Sequence, residues 1–446
     1  MDPLWLLPLT VTLLLLLILG LRVHALLALL LSSMFVALAG GIAPDQVMGQ
    51  LQDAMGRTLG YISLVIGLGA IFGELLFVSG GAGAIANRLT QLAGTALAPW
   101  ALAGAGLLVA IPVFFDVALV LLMPFLYAMC RNTGTPLLKL ALPLLCGLAV
   151  AHAFIPPTPG PVAVAGIVGA ELGWVIVFGL AAGVPALAVG GIWFGGIASR
   201  ITVAGVPALQ ADPASRENHM APRPASMASA LALITLPLAL ILASTITAAV
   251  LPEASALRVS LGLLGHPVVA LLLTTVLSIF FLGTRCGLSL QAIQDSASRA
   301  LLPVGMVILV TGAGGVLGKM LLAAGVGDSL APKLAELDTS LPLIGFLIAA
   351  TLRVAQGSAT VAMVTAAGFV APLLSAGDSP APLLAAVTVA IAAGATVLSH
   401  VNDSGFWLVS RYLGLSEKQT LQTWTVATTL LGVTGLLSVL LLSSFL

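Results

Sequence analysis

Charge is what this sequence has least of. Lys, Arg, Asp and Glu make up 7% of its 446 residues, against roughly 25% in a soluble globular chain. So few charges do not cover the surface of a water-soluble fold of this length. Basic and acidic residues number 16 each, so the balance implies no nucleic acid or other polyanion as a partner. Cysteine is equally scarce. Cys130, Cys146 and Cys286 lie in or beside apolar runs, where they read as small buried side chains. Their spacing suggests neither a disulfide frame nor a metal site. The first apolar segment has no basic region before it and no clear small-residue cleavage site. It is expected to stay as a helix rather than be removed as a leader. A complete nucleotide motif is missing too. Thr311–Met320 resembles a phosphate loop, but Ala313 and Met320 stand where the motif needs Gly and Ser or Thr. No ATP site, metal-ligand cluster or nucleophile–base arrangement is found, so neither a cofactor nor an enzymatic activity is expected.

Long apolar runs fill the space that charge leaves. Hydrophobic residues account for 60% of the chain. Pro3–Leu21, Val23–Pro44, Leu89–Phe115, Leu172–Ser199, Pro224–Pro252, Val259–Thr284, Val354–Gly377, Ser379–Asn402 and Gln419–Leu446 contain no formal charge. A helix crosses the hydrocarbon with about 20 apolar residues, and these runs divide into roughly 11–14 membrane segments. A membrane barrel would instead show alternating segments of about ten residues. The continuous Leu, Ala and Gly runs favour an all-α polytopic membrane protein.

The longest polar stretch lies near the middle. Residues 199–226 hold Arg200, Asp212, Arg216, Glu217, His219 and Arg223 among several prolines. They read as a linker between two transmembrane units, 1–198 and 227–446. The units share landmarks. At an offset of 245, Gly69, Gly73 and Gly80 fall on Gly314, Gly318 and Gly325, and Ala86 and Leu89 fall on Ala331 and Leu334. Later, His152 in AHAFIPPTPGP pairs with His400 in SHVNDSGFW at an offset of 248. Between them each unit has a polar interruption, Ile111–Asp116 and Leu352–Thr360. Repeats interrupted at corresponding positions are the signature of alternating-access carriers. The slight arginine excess of the linker, with Arg22 between the first two segments, leans both to the cytoplasm. An odd number of crossings per unit would then place both termini outside and invert the repeats, with broken or re-entrant helices between them.

An ionised side chain at the bilayer centre costs about 2.5–3.5 kcal/mol on insertion scales, so it persists only when paired, solvated or functional. Glu74, Asp116, His152, Lys319, Arg353, His400 and Asp403 stand in apolar surroundings. Asp116, within IPVFFDVALVLLMP, is the first choice for a proton carrier; Asp403, His152, Glu74 and His400 follow. Each has a plainer reading as a capping, ion-paired or core polar group. Glu74 and Lys319 occupy equivalent positions, so a structural salt bridge between units is an alternative for them. Pro156–Pro161 holds four prolines in six residues, which no continuous helix survives. Non-helical backbone at that depth must line a cavity or be buried in protein. A restart at Pro161 would turn the N–H groups of Val162 and Ala163 towards the break, a fitting end for an anion, with the Thr158 hydroxyl beside them. Arg353 offers a planar fork for a carboxylate, unless it snorkels at the interface. Gln356, Ser358, Thr360, Asn402 and Ser404 offer partners for hydroxyl groups.

These blocks resemble the gluconate permease family of bacterial gluconate:proton symporters. The residues that carry the likeness are GELLFVSGGAGAIANRL, IPVFFDVALVLLMP, AHAFIPPTPGPVAVA, LRVAQGSATVAMVTAAG and GATVLSHVNDSGFWLVSRYLGLS, spread from Gly73 to Ser416. The resemblance implies a multi-pass protein of the bacterial inner membrane that takes up gluconate with protons. It equally implies relatives that carry other aldonates, hexuronate-derived acids, glycerate or D-serine. A sodium-coupled organic-anion carrier, a channel and a membrane-embedded enzyme are the competing classes. Expected partners are a small carboxylate, the proton and membrane lipid; the oligomeric state is left open.

Overall fold

The computed structural model describes residues 3–93, 97–112, 115–201, 220–302, 304–326, 329, 340–375, 379–400 and 403–445. Every regular element among them is helical. Six described helices are long and apolar enough to span a bilayer, and six shorter apolar helices accompany them. Most of the shorter helices adjoin interruptions where the sequence places Pro, Gly and polar residues.

The half of the chain before residue 199, the first unit for short, begins with α1 (Pro3–Leu15), α2 (Ala25–Ala39), α3 (Pro44–Val78) and α4 (Gly81–Ala93). Two interrupted helix pairs follow: α5 (Ala98–Ala110) with α6 (Phe115–Thr133), then α7 (Leu137–Phe154) with α8 (Pro159–Val168). The unit closes with α9 (Leu172–Ala198). α3 has 35 residues, about 52 Å at 1.5 Å per residue, against a hydrocarbon core of about 30 Å. Its early turns carry the exposed Asp53–Arg57 ion pair at 2.9 Å, so that end projects into water.

The second unit contains α10 (Met227–Val250), α11 (Ala256–Leu264), α12 (Pro267–Cys286), α13 (Leu290–Leu301) and α14 (Val304–Ala323). Its interrupted helix pairs are α15 (Leu341–Gln356) with α16 (Ala359–Ser375), and α17 (Ala381–Gly394) with α18 (Ser404–Leu413). α19 (Glu417–Ser443) ends it. Part of the linker, 202–219, lies outside the described residues. Where the chain re-emerges, it is tied to the first unit. The Ala221 and Ala225 N–H groups donate to Val78 O and Ser79 O, each at 2.8 Å.

The recurrence extends from residues to element boundaries. Pro159 and Ser404 open α8 and α18, and Leu172 and Glu417 open α9 and α19, each pair 245 apart. Turn backbones match as well. Gly80 and Gly325 both have φ of 73°, and Gly169 and Gly414 have φ of 78° and 64°. A side chain is disfavoured in that left-handed region. One departure coincides with a proline in the sequence. The stretch that is continuous in α3 is divided in the second unit between α13 and α14, on either side of Pro303. Proline removes a backbone donor and disfavours helix in the residue before it.

Glycine sets the closeness of the packing. Lipid provides no hydrophobic drive between helices, so contact depends on backbones approaching closely. On α14 and α16, a Cβ added to Gly368 would lie 2.8 Å from Gly314 O, and one added to Gly318 would lie 3.2 Å from Gly368 Cα. Gly106 of α5 and Gly147 of α7 likewise rest against each other's helix backbones. Backbone cannot yield as a flexible side chain can. Gly368→Val is expected to cost about 1–3 kcal/mol by overpacking. The check is the melting midpoint of detergent-purified protein by fluorescence-detected size exclusion; an unchanged midpoint would show that α14 and α16 separate freely.

Candidate functional site

The helix interruptions of both units converge. α7 ends at Phe154, and the chain turns through Ile155, the cis-linked Pro156–Pro157 and Thr158 before α8 begins. The whole turn is buried, as non-helical backbone at membrane depth must be. A small cavity forms where this turn meets the α5–α6 break and the middle of α3. Ile66, Gly69, Ile111, Pro112, His152 and Thr158 are among its walls. It admits about one water-sized molecule. α3 passes the turn at Gly69, where an added Cβ would make an ordinary contact of 3.8 Å with Pro157 O.

The restart differs from the expected one in detail. α8 opens at Pro159 rather than Pro161, with Thr158 in extended conformation as its N-cap. The Val162 N–H donates to Thr158 O at 3.3 Å, and Ala163 lies deeper in the helix, fully buried. Neither N–H therefore faces the break. Pro159 and Pro161 have no N–H, so Gly160 supplies the remaining first-turn donor, and no hydrogen bond is formed by it among the described residues. The Thr158 hydroxyl donates to Ile155 O at 2.6 Å, which leaves its lone pairs to accept.

The second unit contributes a charged pair. Arg353 lies in the last turn of α15 and is only 5% exposed. It does not snorkel. One terminal nitrogen donates to Gly357 O, the carbonyl of its own helix cap, and the other donates to Asp403 Oδ2. Its Nε is buried with no hydrogen-bond partner among the described residues. Asp403 caps α18: its Oδ1 accepts from Gly405 N at 3.1 Å. Oδ2 also accepts from the Ser399 hydroxyl, which in turn accepts from Trp424 Nε1 at 2.8 Å. Thr425 donates its hydroxyl to Ser399 O, and Thr428 Oγ1 accepts from Ser399 N at 3.3 Å. A chain of polar contacts thus runs from α15 through the α17–α18 break to α19.

The two units' breaks meet at this pair. Phe115, the first residue of α6, packs on Trp424 with ring centroids 5.7 Å apart. His152 is half-buried in the last turn of α7, within electrostatic reach of the Asp403 carboxylate. α8 packs on α16 and α17, and Gly160 faces Met363 of α16 closely. Ser358 and Thr360 are half-buried at the start of α16, and Ser358 Oγ accepts from Val361 N at 3.4 Å. His400 is half-buried in the α17–α18 break, whereas Ser404 is exposed. Asn402 lies outside the described residues, as do the side chains of Asp116 and Gln356, whose backbones belong to α6 and α15.

Glu74 is half-buried on α3, while Lys319 is exposed on α14, and the two are not ion-paired with each other. The histidines are not equivalent either. His152 is helical and His400 is not, so the units match at their N-caps, Thr158 and Asp403, 245 apart. The sequence reading missed Ser399, Trp424 and Thr425. Ser399 opens the SHVNDSGFW motif without having been singled out, and a lone Trp in an apolar run gives no sign of its indole donor's partner.

Removing one member of a buried ion pair strands the other. Arg353→Met is expected to lower stability by about 3–5 kcal/mol, and adding Asp403→Asn is expected to restore part of it. Thermal denaturation of the single and double variants is the measurement. Losses that simply add would show that the pair carries no coupling.

Comparison with known proteins agrees with this architecture. The family model described as GntP family permease matches residues 3–445. The low-affinity gluconate transporter of Escherichia coli K12 is 38% identical over 96% of this chain and 95% of its own. The gluconate permease of Pseudomonas aeruginosa is 36% identical over 95% of this chain and 93% of its own. Among solved structures, the YdaH transporter of Alcanivorax borkumensis superposes with a TM-score of 0.63 at 15% identity, covering 91% of this chain and 90% of that one. At that identity the likeness concerns the fold alone.

Proposed function

This chain belongs to the GntP permease family, a multi-pass family of the bacterial inner membrane, and on that premise we propose that it takes up gluconate or a closely related sugar acid together with protons. The observation that carries the reading is Arg353: a buried guanidinium that faces a carboxylate at the meeting point of the helix breaks and has one nitrogen without a partner among the described residues. A planar fork with spare donor capacity is suited to a small carboxylate. The Gly160 N–H and the positive end of α8 support the same anion. Thr158, Ser358 and Thr360, with Gln356, Asn402 and Ser404, supply donors and acceptors for a polyol chain. Asp116, Asp403, His152, Glu74 and His400 are the groups proposed to carry the proton.

A six-carbon acid is much larger than a cavity that admits about one water. Loading therefore requires the two sets of breaks to part. The recurring element order supports a rocking motion of one unit against the other, with the repeats inverted and the 199–226 linker in the cytoplasm.

Uptake in proteoliposomes tests this reading. Labelled gluconate should accumulate against an imposed pH gradient and should not respond to a sodium gradient. Competition by a panel of aldonates, glycerate and D-serine identifies the preferred acid. Arg353→Lys should weaken uptake at least about tenfold, equivalent to 1.4 kcal/mol, because a point charge does not replace a fork. Unchanged affinity in that variant would move the carboxylate site elsewhere, and accumulation driven by sodium would replace the coupling ion.

A further inference from the structure

Arg353 is already holding a carboxylate, and it belongs to the protein. Asp403 places Oδ2 on the guanidinium, where a substrate carboxylate would bind, and is held there by the Ser399 hydroxyl and, through Oδ1, by Gly405 N. Both side chains are largely buried, at 5% and 13% exposure. We propose that Asp403 is an internal stand-in for the substrate carboxylate, displaced from Arg353 when it takes up the transported proton. The inference rests on the reading of the site as one for sugar acids.

The charges at the pair decide how such an exchange proceeds. With Asp403 ionised, the pair is neutral and the guanidinium is satisfied. An anionic substrate arriving then would add a third, unpaired charge, which buried surroundings penalise heavily. Protonated Asp403 keeps a hydroxyl to donate but no longer neutralises Arg353, and the substrate carboxylate restores the balance. One proton and one carboxylate therefore enter together, and the pair is neutral both empty and loaded. Coupling is one to one, and the transport step moves no net charge for a monoanionic substrate. Linkage requires the reverse as well: bound substrate favours the protonated form.

The groups that surround Asp403 define the alternatives. His152 reaches it from α7 and His400 shares its break. α6, which packs on α18, brings Asp116, Tyr127 and Cys130; the Tyr127 hydroxyl is spent on Tyr412 O. Arg411 of α18 and Glu417 and Lys418 at the start of α19 are exposed, away from the buried pair. Of the carboxylates whose side chains are described, only Asp403 contacts Arg353.

Gluconate binding to purified wild-type protein and Asp403→Asn, measured between pH 5.5 and 8, tests the exchange. Wild-type affinity should fall with rising pH, by up to about tenfold per unit for a single proton. The variant should bind more tightly than wild type at pH 8, with little pH dependence. In proteoliposomes, the wild type should accumulate gluconate under a pH gradient and fail to do so under a membrane potential alone. Retained pH dependence in Asp403→Asn, with its loss in His152→Gln, would overturn the proposal, as would accumulation driven by potential alone. A readout that uses no substrate separates this inference from the sugar-acid reading. Phenylglyoxal modification of Arg353, followed by mass spectrometry at one fixed pH, should be faster in Asp403→Asn than in wild type. Equal rates would overturn the stand-in role even where gluconate binds. Faster labelling with no gluconate binding would keep the Arg353–Asp403 exchange and discard the substrate.

Discussion

Hydrocarbon offers no partner to a peptide N–H or C=O, and the rest of this structure follows from that constraint. A chain that crosses such a medium remains helical unless protein takes the place of water around it. Each described interruption near the site obeys the rule. The Ile155–Thr158 turn is fully buried, and the Leu398–Ser399 backbone is closed by hydroxyl groups from α19. Breaks so expensive to expose gather in one place, where each forms part of the shelter of the others. The site is where the fold can tolerate irregular backbone.

The same economy explains the pairing of Arg353 with Asp403. A guanidinium far from water needs a counter-charge and several acceptors, and a single carboxylate with one carbonyl meets most of that need. The remaining nitrogen has no hydrogen-bond partner among the described residues. Trp424 and Ser399 fix the carboxylate's position from the far side, so that α19 takes part in the site without touching the arginine. Glycine contacts between neighbouring helices then hold the frame at the spacing that lets such short polar side chains reach one another.

Much of this was legible in the residues. The near absence of charge and the long apolar runs established the all-helical membrane fold, and the proline cluster at Pro156–Pro161 located a helix break to within a few residues. Arg353 and Asp403 stood out because charge is conspicuous in apolar surroundings. Their pairing was hidden, since 50 residues separate them and no periodic pattern links the end of one helix to the cap of another. The restart was misplaced by two residues because either proline fits the first turn of a helix, and only the backbone decides between them. Val162 and Ala163 lost their expected role by that shift. The histidine pairing misled because a shared residue type near a break is a weaker register mark than the cap that opens the next helix.

The interruptions at the heart of the two units are unequal: four residues separate α7 from α8, and nine separate α17 from α18. An exact inverted duplicate would make the two orientations of a rocking carrier related by a two-fold rotation, equal in energy and visited equally often at rest. Unequal hinges remove that degeneracy. In a carrier that rocked in this way, the longer, charge-bearing interruption of one half would give the empty protein a preferred side and its forward and reverse cycles different rate-limiting steps. Gradients would still set the direction of such transport, and the asymmetry of the chain its readiness to begin.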